Sequence, residues 1–226
     1  MLTGPKQPLS YTIANGFMRM VFRSLSFHKV EGAENVPSSG ALLVVSNHIH
    51  ALDPPLINAS IPRRQVLFLA KRELVERPSR WQRWCILHYG LIPLNRARLD
   101  RRAMAKAIEL LESGGTVGLF PEGTRSRTGV LQQPLAGAAY LALASEGTQV
   151  LPVAVHGIAG LKLGLRALVK RPRVTIRIGK PFALLQAESA KDRETLRQAG
   201  ITMMQRIAEL LPPEARGIYA DDPPPS

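Results

Sequence analysis

The stretch Ala41-Leu42-Leu43-Val44-Val45-Ser46-Asn47-His48-Ile49-His50-Ala51-Leu52-Asp53-Pro54 decides the fold. Five apolar residues in a row, preceded by Pro37-Ser38-Ser39-Gly40, read as a strand. Such a strand delivers the next side chains to its C-terminal end, where clefts open in parallel sheets. His48 arrives there, and Asp53 follows five positions later. An i, i+5 pair does not share one face of a regular helix, so the two side chains meet only across a bend. Bent back, Asp53 can hold one imidazole nitrogen and leave the other to accept a substrate proton. A plainer reading of the same residues makes Asp53 a helix N-cap with Pro54 in the first turn, and His48 a loop histidine. His50 faces away from His48 if the strand persists, and the two could share a metal only in one pocket.

Outward from this stretch, short apolar runs alternate with helical patterns. Strands are expected at 41–45, 65–70, 90–94, 116–120, 149–155 and 173–178, and helices at 54–60, 79–88, 99–112, 135–145 and 191–211. That alternation predicts an α/β fold with a mainly parallel central sheet flanked by helices. Residues 9–27 form an N-terminal amphipathic helical element, with Ile13, Phe17, Met20, Val21, Ser24 and Leu25 at helical spacing and Arg19 and Arg23 on another flank. Its stripe either packs on the protein's own core or lies among lipid headgroups. The expected organisation is an interfacial segment at 1–36, an α/β domain at 37–212 and a disordered tail at 213–226.

Charge narrows the partners. Thirty Lys and Arg oppose 17 Asp and Glu, a net charge of +13 that implies a polyanion, either nucleic acid or an anionic membrane surface. Aromatic residues make up only 5%, too few for base-stacking platforms, which favours phosphate-bearing lipid over nucleic acid. Between Gly160 and Lys180 stand Lys162, Arg166, Lys170, Arg171, Arg173, Arg177 and Lys180 with no acidic residue, and Leu161, Leu163, Leu165 and Leu168 are interleaved. Such a run is either a solvated face or a contact for an anionic surface. Cys85 is the single cysteine, which excludes an intrachain disulfide and multi-thiolate metal sites. No apolar run is long enough for a membrane span, and the opening Met1-Leu2-Thr3-Gly4-Pro5-Lys6 is not a signal peptide, so a soluble or peripheral protein is expected.

Two further strand ends carry chemistry. Phe120-Pro121-Glu122-Gly123-Thr124-Arg125-Ser126 offers a tight turn at Gly123, a planar donor fork at Arg125, and a carboxyl at Glu122 that can accept from a hydroxyl or orient the arginine. It is also a good surface turn. Gly90-Leu91-Ile92-Pro93-Leu94-Asn95-Arg96 ends in a second arginine. A base beside two cationic anchors suits transfer to a hydroxyl on a phosphorylated substrate. The chain lacks the Gly-x-Ser-x-Gly elbow of serine hydrolases, a Walker A loop and a strand-linked Gly-x-Gly-x-x-Gly.

Taken in order, Asn47-His48-x4-Asp53, Gly90–Arg96, Phe120–Ser126 and Val150-Leu151-Pro152-Val153-Ala154 resemble the four blocks of the glycerolipid acyltransferases typified by lysophosphatidic acid acyltransferase. Lys71-Arg72-Glu73-Leu74 resembles a feature between the first two blocks. The resemblance spans about residues 30–180. It implies acyl transfer from an acyl-CoA or acyl carrier protein thioester to a lysophospholipid acceptor, with 1-acylglycerol-3-phosphate giving phosphatidic acid. His48 would be the general base and Asp53 its support. Lys71, Arg96, Glu122, Gly123, Thr124 and Arg125 would bind substrate. The resemblance further implies no metal, no bound cofactor, no nucleic acid, and a cytoplasmic location on the inner face of the cell membrane. Departures are Gln133-Pro134-Leu135-Ala136, where an aromatic residue and a lysine are frequent, and Asn95, where Asp or Lys is frequent. The rival readings are another lysophospholipid or hydroxylated lipid as acceptor, or a noncatalytic basic module on anionic membrane or nucleic acid.

Overall fold

The computed structural model of the chain describes residues 7–95, 100–158, 171–184 and 192–220. Seven strands form one sheet: β1 (Phe27–Glu31), β2 (Leu42–Ser46), β3 (Leu67–Lys71), β4 (Leu91–Leu94), β5 (Thr116–Leu119), β6 (Gln149–His156) and β7 (Arg173–Ile178). Their order is β1-β7-β6-β2-β5-β3-β4, which puts β2 at the centre. Pairing is parallel except between β6 and β7. The expected α/β class and mainly parallel sheet are what the chain forms.

The centre is where alternation matters most. Leu43 and Val45 enter one core with Leu111, Leu141, Met203 and Ile207, and Leu42 and Val44 enter the other with Met18, Phe22, Leu56 and Ile57. Side chains of a strand alternate between faces, so a strand covered on both sides must be apolar at every position. Helices α5 (Arg101–Glu112), α6 (Ala136–Ala144) and α7 (Arg193–Ala208) supply the first core. Helices α1 (Leu9–Leu25), α2 (Asp53–Ser60) and α4 (Arg80–Tyr89) supply the second, with the short α3 (Glu73–Glu76) leading into α4. Local signals set the ends. Ser79 and Gln82 form a reciprocal capping box at the start of α4, Gly90 follows its last residue, and Asp100 accepts from Ala103 N–H at the start of α5.

Two expectations change. The sheet crosses the expected boundary at 36/37, because β1 pairs with β7 and α1 buries Tyr11, Ala14, Asn15, Met18 and Phe22. The residues expected as a disordered tail from 213 form two 3-10 turns, Pro213–Ala215 and Gly217–Tyr219, with Ala215 and Tyr219 buried in the first core. Apolar burial outweighs the proline-rich composition there. Residues 221–226 lie outside the described residues. The stripe chosen on α1 is largely its exposed face: Ile13, Phe17 and Met20 face outward while the opposite face packs. Of the basic run, Lys162, Arg166 and Lys170 lie outside the described residues. Arg171 donates to Arg23 O and Ser26 O, and Arg177 pairs with Glu31.

Candidate active site

Strand β2 stops at Ser46, and the chain turns through Asn47–Leu52 before α2 begins at Asp53. Asn47 makes the first fixed point. Its side chain donates to Val155 O and accepts from Val155 N–H, adding an amide rung between β2 and β6. Asp53 makes the second. Its Oδ2 lies 2.8 Å from His48 Nδ1 and accepts the backbone N–H groups of Ile49 and His50, each at 2.8 Å. The Asp53 side chain is fully buried and makes no cap bond to its own helix. The cap reading and the dyad reading compete for one carboxylate, and it turns backward to the histidine. A carboxylate only accepts, so the neutral His48 ring carries its proton on Nδ1 and leaves Nε2 with a lone pair.

The loop after β5 holds His48 from two further sides. Phe120 stacks on the imidazole with ring centroids 3.9 Å apart, and Phe68 of β3 stacks behind Phe120. Glu122 Oε1 accepts His48 N–H at 3.1 Å, and Ser126 N–H donates to His48 O at 2.7 Å. Glu122 is only 5% exposed, and burial pushes its carboxyl up to about 7 against the pull of the His48 and Gln132 hydrogen bonds. Gly123 has φ +69°, and a Cβ there would collide with Leu135 Cδ1.

A cleft of about 620 Å³ opens beside this turn. His48, His50, Lys71, Thr124 and Arg125 give it polar lining, while Phe68, Leu74, Trp81, Cys85, Ile86 and Leu91 give it apolar lining. The structure therefore brings His48, Lys71, Thr124 and Arg125 to one cavity and seats Asp53 directly behind His48. Glu122 and Gly123 do not line it; their places are under the base and at the turn. Arg96 lies outside the described residues. His50 lines the same cleft as His48, because the strand ends before the period-2 rule can separate them. Sequence reasoning also left Asn47, Phe120 and Ser126 without roles, although the first two stand at strand ends. Among the described residues no group of three or more His, Cys, Asp or Glu is placed to hold a metal ion.

The model of the Acyltransferase family matches residues 28–156, which hold both the central strands and this turn. The chain belongs to that family. It is 34% identical over 129 residues to the 1-acyl-sn-glycerol-3-phosphate acyltransferase of Borreliella burgdorferi, covering 56% of this chain and 50% of that one. It is 26% identical over 182 residues to the protein of that name from Bacillus subtilis, covering 80% and 87%. The chain spans about half the length of the Borreliella burgdorferi and Arabidopsis thaliana relatives it matches. The crystal structure of the 1-acyl-sn-glycerophosphate (LPA) acyltransferase PlsC from Thermotoga maritima superposes with a TM-score of 0.67 and 29% identity, covering 88% of this chain and 79% of that one.

Proposed function

We propose that this chain is an O-acyltransferase that moves a fatty acyl group from an acyl thioester, on coenzyme A or acyl carrier protein, to the free hydroxyl of 1-acylglycerol-3-phosphate, giving phosphatidic acid. The observation that carries the reading is the 2.8 Å contact between His48 and a buried Asp53 at the wall of the cleft. His48 Nε2 takes the hydroxyl proton as the oxygen attacks the thioester carbonyl, and Asp53 stabilises the imidazolium that forms. Arg125 and Lys71 supply cationic donors for the acceptor phosphate, and Thr124 a hydroxyl. The apolar lining accommodates acyl chain. The names of the relatives support this acceptor. No bound cofactor enters the scheme.

The same reading places the protein peripherally on an anionic membrane surface. Among the described residues no helix is long and apolar enough to cross a membrane. Leu9, Ile13, Phe17 and Met20 of α1 are exposed, Phe17 meets Trp84 of α4, and Leu87 of α4 is exposed nearby in the chain. Exposed Arg23, Arg80 and Arg83 add charge to these helices. An apolar face with basic flanks suits the headgroup region.

Thiol release by the purified protein tests the reaction. Acyl-CoA or acyl carrier protein thioester should release thiol only when a lysophospholipid is added, and fastest with 1-acylglycerol-3-phosphate. Acceptor-independent release, or none with any acceptor and either carrier, contradicts the proposal. Equal rates with a zwitterionic lysophospholipid contradict the assigned acceptor.

A further inference from the structure

The cleft holds a second imidazole that the scheme above leaves idle. Asp53 Oδ2 draws the His48 ring and the N–H groups of Ile49 and His50 to one point, and this curls the chain immediately after β2. His48 and His50 would face opposite ways in an extended strand, yet both line the cleft. The His50 ring is also oriented. Its Nδ1 accepts Leu52 N–H at 3.2 Å, so the proton of the neutral ring sits on Nε2. Among the described residues Nε2 has no hydrogen-bond partner.

We propose that His50 is a catalytic residue whose Nε2–H donates to the thioester carbonyl oxygen as that oxygen becomes an oxyanion. The proposal rests on the acyl-transfer reading. As His48 Nε2 removes the acceptor hydroxyl proton, the new C–O bond forms and the carbonyl π pair moves onto oxygen, where His50 meets it. The pair then returns, the C–S bond breaks, and the thiolate leaves with the proton held by His48. A fixed donor aimed at developing charge accelerates this step because it is already oriented.

The charge state of His50 suits this role better than phosphate binding. Burial lowers its pKa, Asp53 opposes that shift, and Arg125 and His48 reinforce it. The ring is therefore held neutral, as a donor that keeps its proton. Phosphate binding would favour an imidazolium, and Arg125 already provides a permanent cation in the same cleft.

His50→Asn is the discriminating variant, since an asparagine oxygen can replace Nδ1 as acceptor for Leu52 N–H but offers nothing at the Nε2 position. The expected result is a fall in kcat of about 30- to 100-fold, with KM for both substrates within about threefold and an unchanged melting temperature. His50→Gln, whose amide N–H reaches towards the Nε2 position, keeps kcat within about tenfold of wild type, and it carries the test should His50→Asn fail to fold. Unchanged kcat in His50→Asn overturns the proposal. So does a raised KM with kcat retained, which makes His50 a binding residue, or a His50→Gln enzyme with kcat reduced 30-fold or more. Each of these results presupposes an active wild type. A wild type without acceptor-dependent thiol release overturns the acyl-transfer reading as well.

Discussion

The two ends of β2 are each organised by one buried side chain capable of charge, and they organise it differently. At the N-terminal end Arg64 donates to Pro37 O, Gly40 O, Gly114 O, Gly115 O and Thr116 Oγ1, tying the starts of β2 and β5 together. No acidic residue pairs with it in these contacts. Nε and both terminal nitrogens are engaged, and burial lowers its pKa. At the C-terminal end Asp53 Oδ2 gathers three donors in the same manner, but one belongs to an imidazole whose other nitrogen remains open. The first arrangement closes on itself and serves the fold. The second passes its organisation on to an atom that faces a cleft. A buried polar cluster becomes a site when its last bond is left for a ligand.

Substitutions at the two ends should separate these roles. The largest effect is expected from Asp53→Asn, whose amide oxygen can still accept all three donors that converge on Oδ2 but carries no charge to stabilise the His48 imidazolium. Acyl transfer should fall by about 10³-fold with a melting temperature near that of wild type. A fall of less than tenfold would erase the distinction between the ends. Arg64→Met should do the reverse, leaving carbonyl oxygens without donors and costing about 3–4 kcal/mol, a drop of about 10 °C in melting temperature. Its kcat, measured well below that temperature, should stay within about twofold of wild type.

Glu122 sharpens the comparison through pH. Its carboxyl is held near 7 in the folded chain against 4.5 ordinarily, so the folded state binds the extra proton between those values. Stability then falls as pH rises from about 5 to 8, by up to about 3 kcal/mol. Glu122→Gln keeps an acceptor for His48 N–H and should flatten that slope, as read from urea midpoints at the two pH values. The smallest effect is expected from Arg125→Ala, an exposed donor at the cleft. KM for the phosphate-bearing acceptor should rise about tenfold with little change in kcat, and the difference should shrink at high salt.

How much of this was readable in the sequence depends on how local each signal is. The run Leu42–Val45 specified the central strand, because a strand covered on both faces has no choice but to be apolar. Asp53 and His48 were readable as a pair through their spacing at a strand end. Strand β1 was not, since Phe27-His28-Lys29-Val30-Glu31 is a sheet edge with no fully buried residue and no clean alternation. The face of α1 that packs was missed because Tyr11 and Asn15 are buried through hydrogen bonds to Asn58, Arg64 and Tyr89, partners distant in sequence. Glu122 was read as a substrate contact because nothing local tells a carboxyl under a backbone amide from one in a cavity. His50 reaches the same cleft as His48 because the strand does not persist that far: three hydrogen bonds to Asp53, rather than residue periodicity, shape the chain after β2.

In the proposed reaction His48, held by Asp53, removes the acceptor proton. The most direct test compares wild type with His48→Ala in acceptor-dependent thiol release from acyl thioester, with thermal melting as the check on folding. The expected result is a loss of at least about 10³-fold in kcat/KM with the melting temperature within a few degrees. Acceptor-dependent release that survives the substitution at near wild-type rate would contradict it.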